Sequence, residues 1–414
     1  MANLRNLIIV VCFLFGCAGR STVETPIETG MPRTINLDEA FTNSKTVRLS
    51  EIADSVSFLP LETNTSSLSG VVQRFSFSPT YIFDSNRYFD WNGKYGGKIG
   101  RQGNGPYEEP EGVSRVLFKG NHFYSRAHKL IEYDSTGKPT KVKPLIEFKD
   151  VIERSTLHHG EAFYAIEGGF ALLSSLPLAI YFFDNEFNFI TSKRVVYADF
   201  PSWAPSLGGM NGITSYEDKA LFFNCMNDTI FHVKGTQLEP RWFIKFTDRR
   251  LPSDVILHSY DMLREIEPII SRRGSMENTN YVKLTDNKHI VDLFYETQHY
   301  VLFFMREMIV FAPSRGKTYP DPYLVCYDKA TGKTTRINGK GYVDDLMGMD
   351  YFYPKHGVYE EKLISAIWPH ELFDHIEVCK EKGQEVHPKL LALSKIVKPD
   401  DNPILIFVHL KKKP

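Results

Sequence analysis

Ile131-Glu-Tyr-Asp-Ser-Thr-Gly-Lys138 decides the fold: an apolar strand runs into an aspartate, a turn follows, and a second strand begins. The same phrase stands at Tyr88-Phe-Asp-Trp-Asn-Gly-Lys-Tyr95, Tyr181-Phe-Phe-Asp-Asn-Glu-Phe-Asn188 and Val325-Cys-Tyr-Asp-Lys-Ala-Thr-Gly-Lys333. Asp90, Asp134, Asp184 and Asp328 mark one position in it, and Thr229 to Gly235 is a weaker copy without the aspartate. Aspartate bonds the backbone just ahead of it, while Gly or Asn supplies the left-handed residue that a hairpin turn requires. The copies recur at intervals of roughly 45–50 residues, one interval being double, which is the period of a propeller blade.

Outward from these phrases the grammar stays all-β: short runs of β-branched and aromatic residues, each ended by Gly, Asn, Asp or Pro. Further strand pairs precede each phrase, such as Val113 to Phe118 with His122 to Ser125, and Ala162 to Ile166 with Phe170 to Leu173. The expected fold is a six-bladed β-propeller of four-stranded antiparallel blades. Two stretches depart from it. Ser253 to Ile270 spaces Val255, Leu257, Tyr260, Met262, Leu263, Ile266, Ile269 and Ile270 as a helix does, and Pro369 to His375 with Pro388 to Ile396 also reads as helical. The run after Pro403 is a final strand, predicted to close the ring against Val56 to Leu61 and so remove exposed sheet edges.

At the start of the chain, Arg5 and the apolar run Leu7 to Phe15 form an export signal that is too short to span a bilayer. Leu14-Phe15-Gly16-Cys17 resembles the bacterial lipobox, whose cysteine takes a diacylglyceryl group. The resemblance implies a chain lipidated on Cys17 and anchored through its acyl methylenes. Residues 1–17 are thus a signal, and 18–46, rich in Thr, Ser, Glu and Pro, are expected to be a tether to a single domain at 47–414. The address that follows is the bacterial cell envelope, at the outer membrane.

The whole pattern resembles the six-bladed β-propeller lipoproteins common in Bacteroidota. It does so through Ser57-Phe-Leu-Pro-Leu-Glu-Thr63, Ile99-Gly-Arg-Gln-Gly-Asn-Gly-Pro-Tyr-Glu-Glu109 and Asp400-Asp-Asn-Pro-Ile-Leu405. Pro106-Tyr107-Glu108 departs from the Gly-Pro-Gly-Glu-Tyr usual in that family. The resemblance implies architecture and address, and no activity.

Composition excludes some partners. With 49 Lys and Arg against 50 Asp and Glu the net charge is -1, so no global field draws in nucleic acid. Outside the signal and anchor, Cys225, Cys326 and Cys379 make no disulfide framework. No cofactor fingerprint is present. Gly100-Arg-Gln-Gly-Asn-Gly105 lacks the helix and the Lys-Ser/Thr of a P-loop and reads as a structural turn, with Arg101, Asn104 and Tyr107 as candidate ligand contacts. His370 and His375 are five apart, which places them on different helical faces, and adjacent His158 and His159 on a strand would point to opposite sides; neither pair is expected to hold a metal. Asp344-Asp345 and Glu360-Glu361 fit glycosidase chemistry only if the fold makes partners converge. Trp91, Trp203, Trp242 and Trp368 are expected to pack between blades rather than to stack on sugars. The functional expectation is a binding or scaffolding propeller for a glycan, peptide or protein partner. The rival is a propeller hydrolase or lyase with acidic residues, or a divalent cation such as calcium, at the central channel.

Overall fold

The computed structural model describes residues 32–70, 75–109, 116–126, 128–150, 163–175, 178–195, 211–217, 219–253, 255, 268–269, 280–307 and 322–412. Within them lie six antiparallel blades. Blade 1 is Phe75–Phe77, Tyr81–Asp84, Arg87–Asp90 and Tyr95–Lys98. Blade 2 is Val116–Lys119, His122–Arg126, Lys129–Tyr133 and Pro139–Pro144. Blade 3 is Phe163–Ile166, Gly169–Ser175, Leu178–Asp184 and Phe189–Arg194. Blade 4 is Asn211–Tyr216, Lys219–Asn224, Thr229–Lys234 and Gln237–Lys245. Blade 5 is His289–Glu296, Tyr300–Glu307, Tyr323–Asp328 and Lys333–Ile337. Blade 6 joins Gly357–Tyr359, Lys362–Ile367 and Ile404–Leu410 to Ala53–Pro60 from the other end of the chain. That last pairing is antiparallel, Val56 opposite Val408 and Pro60 opposite Ile404, which is the predicted ring closure.

The aspartate phrase does what its chemistry predicts. Asp90 Oδ1 accepts from the N–H of Asn92 and Lys94, Asp134 from Thr136 and Lys138, Asp184 from Glu186 and Asn188, and Asp328 from Ala330 and Thr331, all at 2.8–3.1 Å. Gly93, Gly137 and Gly332 take the left-handed position of their turns at φ 79°, 83° and 68°. In blade 3 that position falls to Phe187 at φ 62°, whose ring is fully buried against Phe170 at 5.4 Å. Blade 4 turns through Gly235 and Thr236 alone, so its weak copy needs no aspartate. Replacing Asp184 by alanine removes three acceptor contacts, to the N–H of Glu186 and Asn188 and to Asn188 Nδ2, and is expected to cost about 1–2 kcal/mol in urea unfolding, with the fold kept.

The core is divided among the gaps between blades. Each of the six gaps holds its own apolar cluster: Phe83, Val116 and Phe123 between blades 1 and 2; Phe170, Leu172 and Leu130 between 2 and 3; Phe182, Ile213 and Phe222 between 3 and 4; Phe223, Phe294 and Phe303 between 4 and 5; Leu302, Leu363 and Val408 between 5 and 6; Ile82, Phe89 and Leu405 between 6 and 1. Each such side chain removed from water contributes about 1.5–3 kcal/mol. Trp91 lies in the last gap, 5.4 Å from Tyr359 and 5.8 Å from Phe407, and its Nε1 donates to Ser78 O. Trp242 packs on Tyr327 across the gap between blades 4 and 5. Both behave as expected, whereas Trp203 lies outside the described residues.

The boundary of the tether is corrected. Residues from Arg33 onward belong to the folded body rather than to a linker ending at 46. Arg33–Asn36 adds a parallel fifth strand to the outer edge of blade 4, and Ser44–Lys45 does the same for blade 5. Between them a 3-10 turn, Leu37–Phe41, buries Leu37 and Ala40. The apolar residues here, Ile35, Leu37 and Ala40, are too few to show a period, yet each is at most 1% exposed because a preformed sheet edge receives them.

Helices Pro369–Glu381 and Pro388–Ser394 form as predicted, although the first runs past His375. Both sit in the connection between two strands of blade 6 and pack over Ile404. Of the helix predicted over 253–270, Ser253, Val255, Pro268 and Ile269 are described, and all four are helical. Cys225, Cys326 and Cys379 are buried and form no disulfide with one another.

Candidate functional site

In an up-and-down antiparallel blade, the first-to-second and third-to-fourth connections emerge at one end, and the second-to-third connection and the link to the next blade at the other. Here the two ends differ. At one face the successive strands are joined by tight turns, 78–80, 91–94, 120–121, 134–138, 167–168, 185–188, 217–218, 235–236, 297–299, 329–332 and 360–361, and Leu49–Ile52 leads into Ala53 there. The long connections between blade strands start and finish at the opposite face: 61–74, 99–115, 145–162, 195–210, 246–288, 308–322, 338–356 and 368–403. Binding residues concentrate on loops that a rigid scaffold positions, so this loop face is the candidate.

The glycine-rich stretch after blade 1 lies on it with a fixed shape. Arg101–Gln102 pairs in parallel with Glu108–Glu109. The Glu108 carboxylate accepts from Gly105 N at 3.0 Å, and a Cβ on Gly103 would stand 2.1 Å from the same oxygen, so glycine is needed there. Fully buried Glu109 accepts from the N–H groups of His128 and Lys129 at 3.1 and 2.9 Å. Lys129 Nζ donates to Gly105 O and Glu108 O. Gly103 N is also engaged, by Glu109 O. The amides of Gly103 and Gly105 therefore hold the loop together and do not point at an anion. What the loop offers outward is the side chains of Arg101, Asn104 and Tyr107, all exposed, the tyrosine by 42%. Sequence reading picked these three but missed Lys129 and Glu109, which fix their platform from blade 2 and from the loop's own end.

Towards the tight-turn face a buried charge cluster joins blades 4 and 5. Glu296 of blade 5, with no exposed side-chain surface, accepts both Nε and Nη2 of Arg241 from blade 4 at 2.7 Å, Nζ of Lys329 at 2.6 Å and Nε1 of Trp242 at 3.1 Å. Arg241 and Lys329 also lie over the ring of Tyr216, at 5.2 and 4.5 Å. Burial pushes the Glu296 carboxyl up, but the Arg241 hydrogen bonds and the Lys329 charge outweigh it and hold it below the usual range. Burial, with the nearby carboxylates, pushes the Tyr216 hydroxyl up.

The other carboxylates singled out in the sequence have structural partners. Asp344 accepts from the N–H of Leu346, Met347 and Met349, and Asp345 from the N–H and hydroxyl of Ser50. Glu360 and Glu361 form a left-handed two-residue turn, and Glu361 accepts from Gln298 N. In blade 5, Asp292 sits at a bulge between Val291 and Leu293 and pairs with Arg306 Nε at 2.9 Å. On the blade 6 helix, His375 Nε2 contacts Gly348 O, while His370 is exposed and stacks on Trp368. His158 and His159 lie outside the described residues, as do Leu14, Phe15, Gly16 and Cys17. Among the described residues no three His, Cys, Asp or Glu side chains are grouped to hold a metal, and no helix is long and apolar enough to cross a membrane.

A family model described as a domain of unknown function, DUF4934, matches residues 32–409. No curated protein matches the chain. Among solved structures, the chain is similar to a Bacteroides fragilis NCTC 9343 protein, BF0058, named for its expected export. The identity is 19%, the match covers 92% of this chain and 99% of the other, and the TM-score is 0.61. A DUF4221 family member from Bacteroides vulgatus ATCC 8482 matches at 12% identity over 87% and 97% of the two chains, with TM-score 0.42. BamB from Moraxella catarrhalis matches at 12% identity over 68% and 77%, with TM-score 0.29. The first of these shares the fold.

Proposed function

We propose, from the premise that this chain belongs to the DUF4934 family, that it is a binding or scaffolding propeller of the bacterial cell envelope. On this reading a lipid on Cys17 holds it at the outer membrane, and the loop face takes a glycan, peptide or protein partner. The carrying observation is an asymmetry in the described strands: those joined by tight turns end at one face, those joined by long connections end at the other, and there stands the braced loop of Arg101, Asn104 and Tyr107. A guanidinium, an amide and a phenol on a rigid platform suit a polar partner with flat or ring-shaped surfaces, because little side-chain entropy is lost on contact.

The lipobox-like Leu14-Phe15-Gly16-Cys17 supports the anchor, and the name of the similar Bacteroides fragilis protein agrees with export. Cys17→Ala is expected to move the protein from the membrane fraction to the soluble fraction of fractionated cells; an unchanged distribution would remove the lipid anchor from the account. Arg101→Ala, Asn104→Ala and Tyr107→Ala together are expected to leave the melting temperature unchanged, since all three are exposed. On a glycan array and a peptide display the triple variant should lose binding by about tenfold or more. Retained binding would place the contact elsewhere, and turnover of a glycan, ester or lactone would favour a hydrolase or lyase instead.

A further inference from the structure

Among the described residues, some outer edges of the propeller are covered by a further strand and others are not. The edges of blades 4 and 5 are covered by the chain's own Arg33–Asn36 and Ser44–Lys45, both laid parallel. The outer strand of blade 2 is bounded by Pro139 and Pro144, which lack N–H donors. Blade 1 ends in a four-residue strand containing Gly96 and Gly97, with Tyr95 N already donating to Glu62. Blade 6 carries exposed Asp54 and stops at Pro60. Such devices keep edges from pairing with other chains.

Blade 3 is different. Its outer strand Phe189–Arg194 is the last in its sheet, contains neither Pro nor Gly, and alternates half-buried and exposed residues. Ile190 is 51% exposed on it. The turn Leu145–Phe148 shares the apolar cluster of Phe189 and exposes Ile146 by 57%. At the other end of the strand Lys193 is tied to Gln237 at 2.7 Å, and Arg194 is exposed with no ion pair among the described residues.

We propose that the outer edge of blade 3 docks an extended strand of a partner protein, added in parallel as the chain's own segments are added to blades 4 and 5, with aliphatic residues near Ile190 and an acidic residue opposite Arg194. Main-chain hydrogen bonds give such strand addition its affinity, and the alternate side chains give it specificity. The arginine excludes basic strands and is repaid by a carboxylate, which makes the edge selective rather than merely sticky. This edge includes none of Arg101, Asn104 and Tyr107, so neither reading depends on the other.

The test uses the full chain and an acetylated, amidated hexapeptide Val-Thr-Val-Thr-Glu-Val, beside a twin with Lys for Glu. Amide hydrogen exchange followed by mass spectrometry should show slowed exchange across Phe189–Arg194 when the Glu peptide saturates. Arg194→Glu should weaken the Glu peptide about fivefold and favour the Lys twin by a similar factor. Ile190→Ser should weaken both peptides, and the triple loop variant should bind as the wild type does. Exchange unchanged by peptide, or equal binding by Arg194→Glu, overturns the proposal. So does an edge already protected in the free protein, which would mean that another part of the same molecule occupies it.

Discussion

Alanine in place of Glu296 is expected to destabilise the protein by about 3–5 kcal/mol, the cost typical of stripping the partner from buried charges. The substitution leaves Arg241 and Lys329, 26% and 15% exposed, facing each other over Tyr216 with no carboxylate between them. It also orphans the indole N–H of Trp242. The loss falls on the gap between blades 4 and 5, so urea unfolding should show an earlier midpoint, and fluorescence of Trp242 should report it. Replacing all three charges together, Glu296→Leu with Arg241→Met and Lys329→Met, should recover most of the loss, because no ion is then left unpaired. If the single and triple variants are equally unstable, the cluster acts through packing and not through charge.

Acid is the second strong lever. His289 and His356 are both held neutral, their pKa values pushed down to about 4. Burial is the first cause in each case, followed by the charges of Arg336 and Arg249 around His289 and of Lys355 beside His356. His289 Nδ1 meets the Tyr323 hydroxyl at 3.0 Å, and the Nε2 atoms of both rings have no hydrogen-bond partner among the described residues. In the unfolded chain a histidine titrates near 6.5. The unfolded state therefore takes up two protons that the folded state refuses, and stability is full above about pH 6.5 and falls towards about pH 4. The combined loss should be about 4 kcal/mol between about pH 7.5 and about pH 5 and approach about 6–7 kcal/mol at the acid end. Unfolding midpoints at about pH 7.5 and about pH 5 measure it, with most carboxylates still ionised at both. A His289→Phe/His356→Phe variant should show a flatter dependence over that window; an unchanged slope would assign the acid sensitivity to other groups.

What the sequence made legible was local. Asp90, Asp134, Asp184 and Asp328 each act on residues two to four positions ahead, so the turn chemistry and its period could be read directly. Ring closure was legible as well, because an unpaired apolar run at each end of a repeat protein has one obvious partner. The strap of Arg33 to Lys45 was not, since its stability comes from edges that exist only after blades 4 and 5 have formed. The same holds for Glu296, Arg241 and Lys329, which stand far apart along the chain and meet only through the ring. At the candidate site the exposed tips Arg101, Asn104 and Tyr107 were visible as a motif. Their support was not: Glu109 and Lys129 are ordinary charges until the fold brings blade 2 beneath the loop.

The seam of blade 6 also sets an order of events. Ala53–Pro60 is made before the other strands of the six blades and Ile404–Leu410 after them, so their pairing spans the whole ring. Such a distant contact costs little at equilibrium, because closure entropy grows only with the logarithm of the separation, but it is slow to find. A chain interrupted before residue 404 cannot become a ring; it remains an open fan whose terminal sheets have nothing to meet. The circle is thus completed only when its last strand has been made, and no blade before that one can serve as its seal.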